Sequence, residues 1–300
     1  MRVLISGASG FIGSALIPFL KSKGHNVTRL VRAKTGAPED ELVWNPVARV
    51  LDAKKLEGFD AMIHLAGDPI AKGRWTPEKK TLIRDSRVKG TRFLAESLAR
   101  LERPPRALLC ASAIGIYGER GNENLTEESA PGQGFLADVG QEWEKACEPA
   151  AQKGIRVVNL RFGIVMSPRG GALQMMLPPF RMGVGGALGS GEQIMSWIAL
   201  NDAVGAIHHV LITESLKGPV NLVAPNPVTN RVFTKTLGTV LKRPTFLPIP
   251  KFAVGLLFGE MGQDLLLGSA RVEPKRLKST GYRFQYPDLD GALRELLSSP

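Results

Sequence analysis

The sequence predicts an α/β protein built on a doubly wound parallel sheet, with a smaller, mostly helical lobe at its C-terminal end. Three observations carry this. The first thirteen residues, MRVLISGASGFIG, read as strand, glycine turn and helix start. Apolar runs of strand length then alternate with helical stretches as far as about residue 225. From Thr229 the alternation stops, and helical segments surround proline-rich turns at 244–250. The expected division is therefore 1–225 for the sheet domain and 226–300 for a substrate lobe.

Residues 2–6 are β-branched and apolar, a run suited to a strand covered on both faces. Gly7, Gly10 and Gly13 follow, and Ile12, Leu16 and Leu20 recur at the period of a helix face. In such a turn one glycine makes the tight bend, one admits the backbone to a pyrophosphate, and one lets helix pack on strand. The phosphates then meet free N–H groups and the positive end of the helix dipole. Gly7, Ser9, Gly10, Phe11, Ile12 and Gly13 are thus expected to bind a dinucleotide, although the spacing is G-x-x-G-x-x-G rather than G-x-G-x-x-G. Pro18 removes one ladder bond and is expected to bend the helix near Ser14.

Residues 27–31 form the second strand, ending at Val31 and Arg32. An acidic residue here would accept a ribose 2′-hydroxyl; Arg32 and Lys34 stand there instead. A guanidinium grips a 2′-phosphate through charge-assisted bonds, so NADP(H) is expected over NAD(H); otherwise Arg32 only closes a loop. The next strand, 61–65, runs into Leu65-Ala66-Gly67, whose small side chains leave room for the adenosine half. Lys72, Arg74 and Trp75 read as an exposed basic-aromatic loop, with Arg74 and Trp75 offered to substrate. Thr76 caps a helix with Pro77 in its first turn, running to about Leu101. Within it Arg87 is expected to face the sheet, where a buried cation needs an anionic or carbonyl partner, the cofactor or the protein itself.

The strand at 107–111 leads to Ser112 and Tyr117. Ser112 either meets a reacting oxygen or caps a turn. A loop at 119–134, one helix over 135–153 and a strand at 157–160 follow. Between 163 and 191 there are eight glycines in 29 residues, which reads as a mobile flap over the pocket, with Arg169 and Arg181 able to meet substrate. A strand at 195–199, a capped helix at 202–213 and a strand at 220–223 complete the first domain.

At 300 residues with 43% hydrophobic and 22% charged side chains, the chain is expected to fold around a full core. Its longest uncharged runs are too short to span a bilayer, and the opening strand leaves no room for a targeting peptide. The net charge of +11 has no lysine-rich run or nucleic-acid motif behind it. It is read as serving an anionic cofactor and substrate, with neither nucleic acid nor membrane as partner. Cys110 and Cys147 suit reduced thiols in the cytoplasm. The four histidines lack metal spacing and are read as structural, so no metal is expected.

The stretches Gly7-Ala8-Ser9-Gly10-Phe11-Ile12-Gly13, His64-Leu65-Ala66-Gly67 and Gly189-Ser190-Gly191-Glu192-Gln193 with Trp197, Ile198 and Asp202 resemble the extended short-chain dehydrogenase/reductases. That superfamily contains the nucleotide-sugar epimerases and dehydratases. LAGDPIA, GRWTPEKK, RDSRVKGTR and the closing Gly281-Tyr282-Arg283-Phe284 resemble more narrowly an epimerase-like subfamily sometimes labelled cell-division-inhibitor-like. The resemblance implies a Rossmann-type sheet, NADP(H) along the loops named above and against Val165, a small-molecule substrate, and homodimers pairing long helices. It also implies Tyr-x-x-x-Lys catalysis, in which lysine lowers the pKa of a proton-transferring tyrosine. No tyrosine here has that lysine, and alignment on Trp143-Glu144 puts the pair at Leu136 and Gly140. Ser112 and Tyr117 are the catalytic candidates left, with Glu119 a further proton donor. The alternative is a catalytically silent NADP(H)-binding scaffold or redox sensor.

Overall fold

Val3, Leu4 and Ile5 are at most 1% exposed, as a strand covered on both faces must be. The computed structural model describes residues 1–33 and 40–298. Its strands in chain order are β1 (Arg2–Ser6), β2 (Asn26–Val31), β3 (Glu41–Asn45), β4 (Val50–Leu51), β5 (Ala61–His64), β6 (Ala107–Ala113), β7 (Asn124–Leu125), β8 (Arg156–Phe162), β9 (Ile164–Ser167), β10 (Ile194–Met195), β11 (Trp197–Ala199), β12 (Gly218–Leu222), β13 (Val228–Thr229) and β14 (Arg271–Val272). The helices are α1 (Phe11–Ser22), α2 (Pro77–Ala99), α3 (Phe135–Lys145), α4 (Glu148–Gln152), α5 (Gly171–Arg181), α6 (Leu200–Ile212), α7 (Asn230–Leu241), α8 (Lys251–Phe258), α9 (Glu260–Leu266), α10 (Lys275–Ser279) and α11 (Leu289–Ser298).

The main sheet has the order β12-β8-β6-β5-β1-β2-β3-β4. Every neighbouring pair is parallel except β3 with β4. The order reverses beside β1, between β2 and β5, which opens a crevice at the carboxyl ends of those strands. One face is covered by α1 and α6, through Leu16, Leu20, Val204, Ile207 and Val210. The other is covered by α2, α3 and α4, through Phe93, Leu98, Trp143, Cys147 and Ala150. This is the doubly wound, Rossmann-type sheet that the sequence predicts. Strands β3 and β4 are additions to that expectation. Glu41 opens β3 with its side chain fully buried, paired to Arg29 at 2.7 Å.

Three elements depart from the sequence reading. The expected helix over 135–153 is two helices, separated where Cys147 caps α4 and Pro149 occupies its first turn. The capped helix at 202–213 starts at Leu200 without a side-chain cap. The glycine-rich stretch 163–191 is not a flap: it contains β9 and α5, and Leu173, Leu177 and Phe180 pack on Trp197, Phe233 and Leu237. Its glycines serve close approach. A Cβ on Gly163 would lie 2.6 Å from the Ser196 carbonyl oxygen, and one on Gly185 would lie 2.6 Å from the Phe180 ring. Gly170 and Gly171 accept the ring of Phe11 from the start of α1.

The core formed by α5 and α7 joins the middle of the chain to its C-terminal part, bringing Met166, Leu173 and Trp197 against Phe233, Leu237, Leu289 and Leu293. Asp202, in the first turn of α6, accepts the Gln285 and Tyr286 backbone N–H groups at 2.7 and 2.8 Å. The Tyr282 hydroxyl donates to the Asp202 carbonyl at 2.8 Å, so the closing segment is tied to α6.

The histidines occupy structural positions. His25 and His208 face each other through Nε2 at 3.1 Å, and His209 meets Thr280 at 2.9 Å. His64 is fully buried beneath the glycine turn, with Nδ1 2.5 Å from the Ser6 hydroxyl. Burial pushes its pKa down to about 4 from 6.5. The native state therefore takes up this proton later than the unfolded chain as pH falls. Stability present above pH 6.5 is expected to be lost between there and about 4, reaching about 3 kcal/mol. Urea midpoints at pH 7.5 and 4.5 should differ less in His64→Asn than in the wild type.

Candidate functional site

The crevice is built by backbone. Gly7 has φ 72°, and a Cβ there would lie 2.6 Å from the Leu65 carbonyl carbon. The glycine turn therefore rests directly on the strand-end Leu65-Ala66-Gly67. Gly10 donates its N–H to the Gly7 carbonyl at 2.9 Å, and a Cβ on Gly13 would collide with that same oxygen. Helix α1 begins on Gly10 with neither a side-chain cap nor an acidic residue in its first turn. Its positive end is thus offered to an anion. Despite Pro18, α1 continues to Ser22.

Phe11, Ile12, Leu65 and Val165 are half-buried around one cluster at this end of the sheet. Ser9 and Gly67 are exposed, and Ala66 is half-buried. At the end of β2, Val31 is half-buried and Arg32 exposed; Lys34 lies outside the described residues. Arg87, on α2, brings its guanidinium carbon within 3.6 Å of where a Gly67 Cβ would stand. One nitrogen donates to the Ile83 carbonyl at 3.0 Å, and the group lies over the Trp143 ring. Burial pushes its pKa down to about 10, against the attraction of Asp68. Beside it Lys79 pairs with Asp68 and donates to the Pro69 carbonyl at 2.9 Å. The described residues therefore bring together the turn, the strand-end and Arg87.

The catalytic candidates sit in a buried string of polar groups. Ser112 is 2% exposed, and its hydroxyl donates to Glu144 Oε1 at 2.7 Å. Arg161 clamps Glu144 through Nε and a terminal nitrogen at 2.7 and 2.8 Å, and donates to the Tyr117 oxygen at 2.9 Å. Tyr117 in turn donates to Asn221 Oδ1 at 2.7 Å. Asn221 Nδ2 donates to the Glu273 carbonyl, and its backbone N–H to Glu127 Oε1. Burial raises the Tyr117 pKa, outweighing the pull of Arg161. Burial acts to lower that of Arg161, but the bonds and charge of Glu144 together with Tyr117 outweigh it, and the pKa is raised. The phenol is fully buried with its proton committed, which does not suit a group that must reach a substrate. Glu119 is likewise engaged, accepting the Ser269 N–H.

Gly140, where the aligned lysine would stand, packs so closely that a Cβ would lie 2.9 Å from Ile116 Cβ. Leu136 faces Gly115 in the same contact. A lysine at 140 would therefore require Ile116 to shift, besides being missing from the sequence.

On the substrate side, Trp75 is not exposed as expected. It is 8% exposed, packs with Ile83, Met261 and Phe135, and donates from Nε1 to the Ile70 carbonyl at 2.9 Å. A large aromatic with one polar atom satisfied is stable as a buried wall. Arg74 is exposed and donates to the Leu256 carbonyl on α8. Arg169 is exposed just before α5 and Arg181 at its far end, with a helix about 16 Å long between them; α5 does not bring them together. Glu144, Arg161 and Asn221 escaped the sequence reading, since no local spacing links them. Among the described residues no group of three or more His, Cys, Asp or Glu is placed to hold a metal.

The profile of the NAD dependent epimerase/dehydratase family matches residues 3–222. The chain belongs to that family. A second profile, described as a domain of unknown function (DUF1731), matches residues 249–296. Among family relatives, the epimerase family protein Mb2239 of Mycobacterium bovis is 41% identical over 298 residues, covering 99% of this chain and 98% of its own. An Arabidopsis thaliana relative, the SDR39U1 homolog described as chloroplastic, is 38% identical over 304 residues, covering 99% and 87%. The crystal structure of human epimerase family protein SDR39U1 with NADPH superimposes with a TM-score of 0.92 at 33% identity, covering 100% of both chains. No helix among the described residues is long and apolar enough to cross a membrane.

Proposed function

We propose that this family member binds NADP(H) along its glycine turn and uses it in oxidoreductase or epimerase chemistry on a small substrate bearing a carbonyl or hydroxyl. The observation that carries this reading is the cradle: three glycines packed to admit a diphosphate, an uncapped helix start, and Arg87 beside Gly67. The NADPH in the human SDR39U1 crystal supports the same choice of cofactor. When bound, the cofactor supplies or accepts hydride. The amino end of α1 holds the diphosphate, Arg32 the 2′-phosphate, and Leu65, Ala66, Gly67 and Val165 wall the nucleotide. Arg87 anchors the cofactor from α2. Arg74, Arg169 and Arg181 are the cations available to an anionic substrate group. Ser112 acts through Glu144, and Tyr117 is a strut, not the proton donor. The working compartment is one that keeps Cys110 and Cys147 reduced, as the cytoplasm does.

Dissociation constants for NADPH and NADH test the cofactor half. Arg32→Ala is expected to weaken NADPH about tenfold and leave NADH unchanged, since a charged hydrogen bond contributes about 1.5–3 kcal/mol. An unchanged ratio overturns the role of Arg32. Arg87→Ala is expected to weaken both cofactors. For the chemical half, NADPH absorbance is followed against carbonyl compounds and nucleotide sugars. Turnover that persists in Tyr117→Phe supports the reading, and loss confined to that variant's turnover, with its fold intact, overturns the strut. A second reading, a silent NADP(H)-binding scaffold, is favoured by the contact of Gly140 with Ile116. Tight NADPH binding without turnover on any panel member selects it.

A further inference from the structure

From residue 215 to 259 the chain carries six lysines and arginines and not one aspartate or glutamate. The same stretch contains large apolar side chains that the fold leaves in water. Phe246 is 77% exposed, Phe252 76%, Leu256 72% and Leu257 61%. Met182 and Val184 extend the area at 70% and 52%. They belong to one surface, because Gly183 abuts Pro244, while Gly189 N–H donates to the Ile249 carbonyl and Ile249 N–H to the Ala187 carbonyl, each at 2.8 Å. Lys242, Arg243 and Lys251 are exposed around it, and Arg181 precedes Met182. Only Val254 of α8 is buried, so this apolar helix spends most of its side chains on solvent. Exposed phenylalanines and leucines in a contiguous patch mark a surface meant to be covered.

We propose that this face docks on a membrane surface containing anionic lipid, with Phe246, Phe252, Leu256 and Leu257 entering the headgroup region and Lys242, Arg243 and Lys251 meeting lipid phosphates. Charge selects the occupant. A two-fold dimer would press the patch against itself and set these cations against their own copies. Apolar side chains among cations, with the bordering Glu260 paired to Lys80, are instead the composition of interfacial helices, which need no spanning segment. The sequence expectation of no membrane partner rests on the lack of such a segment and does not bear on surface contact.

Co-sedimentation of the full chain with phosphatidylcholine vesicles, with and without one third phosphatidylglycerol, tests this. Partitioning is expected to be at least tenfold stronger on the anionic vesicles. Both Phe252→Ser/Leu256→Ser and Lys242→Glu/Arg243→Glu should remove it while NADPH affinity stays unchanged. Three results would overturn the proposal. One is no vesicle binding. Another is binding that the serine variant retains, which is mere adhesion of a +11 protein. The third is a dimer in sedimentation velocity that the serine variant dissolves, which assigns the face to a second copy.

Discussion

Gly7→Ala is expected to remove cofactor binding and lower stability together. The residue sits at φ 72°, a conformation that costs an L side chain about 1–2 kcal/mol by itself. The new methyl would also stand 2.6 Å from the Leu65 carbonyl carbon and 2.8 Å from the Ala66 nitrogen. These are backbone atoms at the end of a central strand, which cannot rotate away. Either the turn lifts off the strand-end or the strand-end moves, and both widen the crevice where the diphosphate is proposed to lie. NADPH titration should show at least a tenfold loss, equivalent to about 1.4 kcal/mol. A variant that unfolds at the wild-type midpoint and binds NADPH normally would refute the close approach.

The crevice was legible because strand, glycine and helix periods are local signals, and β1 with α1 spells out all three within 22 residues. Strand β3 was not, since it opens on Glu41 and closes on Asn45 before Pro46, with a buried ion pair replacing the usual apolar start. The stretch 163–191 misled because glycine composition reports close packing as readily as freedom. Only the partners, Phe11 for Gly170 and Phe180 for Gly185, separate the two meanings. Trp75 was misplaced because its cover, Met261, lies far along the chain. The polar string failed for the same reason. Ser112, Tyr117, Glu144, Arg161 and Asn221 lie on five different elements and meet only after the sheet has formed.

Arg161→Met should be the most damaging change outside the crevice. It leaves the carboxylate of Glu144, 13% exposed, without its bidentate partner, and takes a donor from the Tyr117 oxygen. Removing one member of a buried pair costs about 3–5 kcal/mol, because the remaining charge has lost its compensation. The denaturation midpoint should fall accordingly. Adding Glu144→Gln should recover a substantial part, since the orphaned charge is gone. A double variant no more stable than the single would mean that the string is held by packing and not by charge.

The contact between Gly140 and Ile116 also bears on ancestry. Lysine at 140 takes two base changes within one codon, and its Cβ would stand 2.9 Å from Ile116 Cβ, so Ile116 must give way first. Leu136 packs on the bare backbone of Gly115, so the tyrosine position is not closed in the same way. Regaining the tyrosine–lysine dyad thus takes a change at Ile116 besides the two at 136 and 140. Descendants of this chain are held to whatever chemistry they now possess.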